Sequence, residues 1–202
     1  MKGSPRAFDL STLMPPISAD AVFPGNRPLT LDIGCGDGEF LLETARLMPG
    51  FNHIGVEIKF GRFKKAVRAA DRLGADNVKF IHLEGTVAAG LFAPGSFERI
   101  YINFPDPWPK GRHHKHRIVS PGFVSLLGAA LRGGGRLEVA SDHGEYMEVV
   151  AETLDGSAQF ENVSGGALLE YPGGRPQTRF EKIFRGQGKP VRYLVYAKRG
   201  AV

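Results

Sequence analysis

The stretch LTLDIGCGDGEF, Leu29 to Phe40, constrains the fold more than any other part of the sequence. It opens as a short apolar run, carries Gly34, Gly36 and Gly38 at alternate positions, and leads into GEFLLETARLM, where apolar residues recur at helical spacing. Strand, tight turn and helix follow in order. The glycines let the backbone bend sharply and let a ligand approach main-chain N–H groups at the start of the helix. FNHIGVEI reads as a second strand and KFGRFKKAVRAADRLG as an amphipathic helix closed by Gly74, which completes a β-α-β unit. NVKFIHL, FERIYINF and GGRLEVAS continue as strands. They are separated by a short helix near Val87 to Leu91 and by PGFVSLLGAALR, and HGEYMEVVAETL supplies a further helix. Strands alternating with helices predict an α/β fold, a doubly wound and mostly parallel sheet with helices on both faces. Gly165, Gly166, Pro172, Gly173, Gly174 and Pro176 mark a loop-rich segment, after which PVRYLVYAKR alternates as a last strand, expected antiparallel and near an edge. Pro5, Pro15, Pro16, Pro24 and Pro28 predict an irregular arm at 1–28 ahead of a single domain at 29–202.

A glycine turn of this kind is shared by many folds, and its bland reading is a tight connection and nothing more. The neighbouring acids narrow the ligand. A dinucleotide fingerprint, G-x-G-x-x-G, would want glycine where Glu39 stands, a charge badly placed for a pyrophosphate, and this disfavours an NAD-dependent oxidoreductase. Glu57 ends the second strand about twenty residues past the glycines, where a doubly wound sheet sets a carboxylate against ribose hydroxyls. Glu84 follows the third strand on the same rim, and Asp32 sits in the first strand just before the turn. Each acid alone reads as a solvated strand-end residue. Together they suit a ligand carrying positive charge, and S-adenosylmethionine, with its sulfonium and amino group, is such a ligand.

The fourth strand delivers NFPDPWPKGRHHKHR, Asn103 to Arg117, to that same rim. Pro105, Pro107 and Pro109 fix φ at alternate positions and bias the residue before each toward extended backbone, so Asp106 is expected to project from a stiffened loop. Trp108 has three readings: a cover for the methyl donor, a stacking surface for a base, or a filler beneath the loop. Lys110, Arg112, Lys115 and Arg117 form the densest positive stretch of a chain whose net charge is +5. Contacts to nucleic-acid phosphates are their functional reading and a solvated loop their bland one. His113, His114 and His116 lack a Cys or a well-spaced acid to complete a ligand set, so no metal is expected. With Cys35 as the single cysteine, no intrachain disulfide can form, and no run of about eighteen apolar residues exists to span a bilayer. The expected compartment is the cytoplasm.

The blocks LDIGCGDGEF, GVEI, NFPDPWPKGRHHKHRI, ASDHGEY and RPQTRFE, in this order, closely resemble the bacterial tRNA (guanine-N7)-methyltransferases. The glycine turn is common to many methyltransferases, whereas NFPDPWPK with its basic tail and T-x-F-E are far more specific. The resemblance implies a Rossmann-like class I methyltransferase fold with a seven-stranded sheet. It implies methyl transfer from S-adenosylmethionine to N7 of a guanine in tRNA, expected in the variable loop. It further implies that Asp32, Glu57, Glu84 and Asp106 contact the donor, that Asp106 is catalytic, and that Lys110, Asp142 and Thr178, Arg179, Phe180 and Glu181 contact the substrate. From the residues alone, Asp142 reads as the N-cap of HGEYMEVV, and Thr178 to Glu181 as a loop-to-helix transition. The family often has Glu at the position of Asp32, Asp at that of Glu84, and a basic residue at Gly111 and His116. The arm shows no match, and the resemblance leaves monomer and homodimer both open. Two rival readings remain. An amino-group N-methyltransferase would grip its target through an Asn/Asp-Pro-Pro-aromatic loop, from which Asp106-Pro107-Trp108 departs. A noncatalytic RNA-binding protein on this fold would show no binding of the methyl donor.

Overall fold

The computed structural model describes residues 4–10, 14–165 and 174–200. Seven strands form one sheet in the order β3-β2-β1-β4-β5-β7-β6. They are β1 (Leu29–Ile33), β2 (Asn52–Val56), β3 (Val78–Ile81), β4 (Phe97–Asn103), β5 (Leu131–Ser141), β6 (Phe160–Asn162) and β7 (Arg192–Lys198). β1 to β5 pair in parallel, and β7 runs antiparallel between β5 and β6. The expected doubly wound, mostly parallel sheet is present. β1 and β2 are buried at every position, as strands covered by helices on both faces must be. The helices are α1 (Ala19–Val22), α2 (Glu39–Leu47), α3 (Phe60–Leu73), α4 (Gly85–Leu91), α5 (Pro121–Ala130), α6 (Gly144–Asp155) and α7 (Arg179–Gly186).

Local signals account for most boundaries. Gly74 closes α3 in the left-handed conformation at φ 61°, and Ser120 caps α5, whose first residue is Pro121. Three details sharpen the sequence reading. α5 stops at Ala130, and β5 begins at once with Leu131. The last strand is antiparallel and near an edge as expected, one place in because β6, three residues long and too short to carry a pattern, takes the outermost position. The arm is irregular apart from α1, yet it packs on the sheet: the Phe8 N–H donates to Phe80 O at 2.8 Å, and Ile17 is buried in the core. Gly166, Pro172 and Gly173 lie outside the described residues.

From β1 the chain winds toward β3 on one side and through β4 to β5 on the other. The carboxyl ends of β1 and β4 therefore flank the point where strand order reverses, and a crevice opens there in sheets of this kind.

Candidate functional site

Two lobes of one cleft, about 320 and 300 Å³, open at that crevice and share Gly34, Arg62, Asn103, Phe104 and Phe180. The first lobe is floored by Asp32 and the turn from Gly34 to Asp37, with Arg179 on its wall. The second holds Glu57, Glu84, Asp106 and Trp108. The four acids expected at a donor site thus line one cleft.

The glycines of the turn have separate reasons for being there. Gly34 and Gly36 adopt left-handed backbone at φ 76° and 61°, and the Gly36 N–H donates to Glu57 Oε2 at 3.0 Å, bracing the turn against the end of β2. Glu57 Oε1 accepts the Lys59 N–H at 2.7 Å, so each oxygen already holds one backbone donor and keeps capacity for another. At Gly38, φ 83°, a Cβ would lie 2.9 Å from Ala66 Cβ and 3.0 Å from Phe80 Cζ, and close packing of α2 against α3 and β3 excludes it.

Asp32 is 1% exposed, and its carboxyl is pushed up to about 7. Burial is the main cause; a hydrogen bond from Asn103 and the charge of Arg175 pull it down, and the charge of Glu57 adds to the rise. Asn103 Nδ2 donates to Asp32 Oδ1 at 3.4 Å. A buried acid with a second carboxylate nearby is relieved by a cation and opposed by an anion. Glu84 is exposed and accepts the Thr86 hydroxyl at 2.8 Å. Asp106 is exposed at the mouth of the second lobe.

The loop carrying Asp106 is stiff in a different way from the one expected. Phe104 and Trp108, each followed by proline, take left-handed φ values of 50° and 43° instead of extended backbone. Their surroundings over-determine them. The Phe104 N–H stays on the sheet through Ala140 O at 2.7 Å, and its ring packs 5.6 Å from Phe184. The Trp108 ring lies 5.2 Å from His116 and 5.7 Å from His113. Such conformations cost on the order of 1–3 kcal/mol each and concentrate at functional sites. Trp108 is 36% exposed, too open to be a buried filler.

The basic run folds as a 3-10 helix over Gly111–His116, where a loop was expected. Lys110, Arg112 and Lys115 are exposed and line neither lobe. Arg117 turns inward: Nε donates to Pro107 O at 2.9 Å, and its guanidinium stands 5.2 Å over the Tyr146 ring. Asp142 is not the cap of α6. That place belongs to His143, whose Nδ1 accepts the Tyr146 N–H at 3.3 Å.

In the segment Thr178 to Glu181, Thr178, Arg179 and Phe180 line the first lobe and Glu181 lies beneath it. Thr178 caps α7, accepting the Glu181 N–H at 3.0 Å, and Glu181 is fully buried with Arg185 Nε at 3.0 Å. Arg179 and Phe180 point outward into the cleft, Phe180 with the Arg62 guanidinium 6.0 Å from its ring. Arg62 itself was hidden in the sequence within an ordinary amphipathic helix, although its place one turn beyond the end of β2 was a usable signal. Among the described residues, no group of three or more His, Cys, Asp or Glu side chains is arranged to hold a metal ion, and no helix is long and apolar enough to cross a membrane.

Comparison with known proteins bears on this cleft. A family model described as a putative methyltransferase matches residues 26–194. A tRNA (guanine-N(7)-)-methyltransferase of Halorhodospira halophila is 40% identical over 185 residues, covering 91% of this chain and 80% of the relative. One from Mycobacterium avium is 35% identical over 186 residues, covering 92% and 72%. The crystal structure of a SAM dependent methyltransferase from Aquifex aeolicus shares the fold, with a TM-score of 0.60, 12% identity, and coverage of 86% of this chain and 83% of that one.

Proposed function

The chain belongs to the tRNA (guanine-N7)-methyltransferase family, and from that premise we propose how its cleft performs the reaction, the transfer of a methyl group from S-adenosylmethionine to N7 of a guanine in tRNA. One observation carries the reading: two buried carboxylates, Asp32 and Glu57, stand beside an open glycine turn at the switch point. This donor set fits a ligand with a sulfonium and an ammonium group and would repel a pyrophosphate.

When bound, S-adenosylmethionine supplies an electrophilic methyl carbon and departs as a neutral thioether. Asp32 and the Gly34–Gly36 turn hold the amino-acid end of the donor. Glu57 and Glu84 hold its ribose and base, each with acceptor capacity beyond its present bonds. Guanine N7 is an acceptor on the major-groove edge with its lone pair available, so no residue has to remove a proton. The protein's work is placement, which can supply roughly 7–11 kcal/mol in favourable cases. Asp106, at the mouth of the second lobe, faces a purine that becomes cationic as the bond forms, and it acts by orienting the base and stabilising that charge.

Lys110, Arg112 and Lys115 dock the tRNA backbone, and Arg179, Phe180 and Asp142 contact the nucleotide surroundings, with the variable loop as the target region. Thr178, Glu181 and Arg117 support these contacts from beneath. The catalytic unit spans 29–202, with 1–28 as its arm, and we place the enzyme in the cytoplasm beside its substrate.

The test incubates the protein with labelled methyl donor and unmodified tRNA, then maps the product by reduction and aniline-induced strand scission, which reports N7-methylguanine. Label with scission at a variable-loop guanine is expected. Label without scission would shift the reading to an amino-group methyltransferase, and absence of label in any RNA to a binding protein.

A further inference from the structure

We propose that Arg175 is a positioning residue: it fixes the side-chain amide of Asn103 so that the amide donates to Asp32 and keeps that carboxylate ready for the cationic end of the methyl donor. The inference rests on the donor-site reading above.

Arg175 is 7% exposed and lies in the segment that leads into α7. Its guanidinium is held between the rings of Phe40 at 4.8 Å and Tyr193 at 5.0 Å, and Nη1 lies 3.6 Å from Glu138 Oε2. A buried charge is tolerated only when it is paired, and the stacked, ion-paired guanidinium is oriented as well as paired. Its Nη2 donates to Asn103 Oδ1 at 2.5 Å, and Asn103 is the residue that lines the cleft.

A guanidinium has donors and no acceptor, while a carboxylate has acceptors only. Asn103 stands between one of each. With its oxygen toward Arg175, its NH2 faces Asp32, and both contacts are attractive. The flipped amide would set NH2 against guanidinium hydrogens and oxygen against carboxylate, so both contacts would repel. Arg175 therefore acts on the donor site through Asn103 without lining either lobe.

Removal of Arg175 frees the amide to rotate and takes a positive charge from the neighbourhood of Asp32. A carboxylate buried beside Glu57 then holds its proton to higher pH and becomes a poorer partner for an ammonium group. The other charged groups that face this lobe, Asp37 of the turn, Glu39 of α2, Arg62 of α3 and Arg179 of α7, are untouched by the change. A shift in pH profile consequently reports the Arg175–Asn103 pair.

The experiment measures S-adenosylhomocysteine binding by calorimetry between pH 6 and 9. It uses the full chain as wild type, Arg175→Met, Asn103→Ser and the double variant, each checked for folding by circular dichroism. Each single variant should weaken binding tenfold or more and move the onset of tight binding to higher pH. The double variant should lose less than the product of the two single losses, because Arg175 acts chiefly through that amide and only secondarily through its charge. Multiplicative losses in the double variant, or an unchanged pH profile in Arg175→Met, would overturn the proposal. Asn103→Asp tests the same wiring without touching Arg175: it keeps a partner for the guanidinium but offers Asp32 no donor, so binding should fall with the fold intact. Wild-type affinity in that variant overturns the proposal even where Arg175→Met does not fold. A wild-type protein that binds no S-adenosylhomocysteine overturns the donor-site reading and this inference with it.

Discussion

Arg117 Nε donates to the Pro107 carbonyl at 2.9 Å, so the end of the basic run is tied back onto the loop that carries Asp106. Arg117 and Lys115 are two positions apart but do different work. Arg117→Ala should lower the methylation rate as well as tRNA affinity and cost about 1–2 kcal/mol of stability, since a partly buried hydrogen bond from a charged donor is lost. Lys115→Ala should leave stability and single-turnover rate intact and reduce the slope of log affinity against log salt by about 0.7–0.9. Filter binding across a salt series, beside single-turnover assays, separates the two.

Asp106→Asn keeps the shape of the loop and removes its charge. Single-turnover methylation should fall about a hundredfold, the loss typical of one preorganised electrostatic contact, while tRNA binding stays close to normal. An unchanged single-turnover rate would remove Asp106 from the catalytic role.

Thr178 and Arg179 both line the first lobe, but the Thr178 hydroxyl is committed to the α7 N-terminus while Arg179 is exposed. Thr178→Ala removes the cap of α7 and should cost about 1 kcal/mol in chemical denaturation. Arg179→Ala should cost no measurable stability and should weaken tRNA binding. If Thr178→Ala were isostable and defective only in substrate binding, its hydroxyl would belong to the substrate and not to the helix.

His53 gives the fold a sensitivity to acid away from the cleft. It is fully buried and neutral: Nε2 donates to Met48 O at 3.2 Å, and Nδ1 accepts the Thr30 hydroxyl at 2.8 Å. Burial lowers its value to about 4. With the folded value below the unfolded one, its contribution is complete above about pH 6.5 and is lost as pH falls toward 4, by about 3 kcal/mol in all. Urea titrations at pH 7 and pH 4 should show this loss, and His53→Gln should remove it.

Asp32 has the opposite sign. Its folded value is raised, so its contribution is complete below about pH 3.8 and is lost as pH rises through about 7. Asp32→Asn should therefore stabilise the ligand-free protein at pH 8, by up to about 4 kcal/mol, while abolishing the thermal shift that the methyl donor gives the wild type. Greater stability together with lost binding would mark Asp32 as a residue held for function at the expense of the fold.

The parts of the site legible in the sequence were those carried by local pattern. Gly34, Gly36, Glu57 and Glu84 stand where alternating strands and helices meet one rim, and that rhythm can be read residue by residue. The parts that escaped depend on contacts between distant segments. Arg175 sits in a turn-rich stretch with no periodicity, and only the tertiary fold brings it to Asn103, 72 positions earlier. The left-handed backbone of Phe104 and Trp108 contradicts the local preference before proline, because ring packing and a retained sheet hydrogen bond outweigh it. Thr178 and Glu181 form a capping pair recognisable from T-x-x-E, but the family motif alone could not separate them from the outward-facing residues between.

The reversed direction of β7 decides which end of the sheet its preceding helix reaches. Ser141, the last residue of β5, pairs with Arg192, the first of β7. The chain must therefore arrive at β7 from the same rim where β1 and β4 finish, and α7 is delivered there. A parallel last strand would have carried α7 to the far rim and left Phe180 and Arg179 a sheet's length away from Asp32. One inverted strand thus lets the end of the chain roof a cleft whose floor was laid at its beginning.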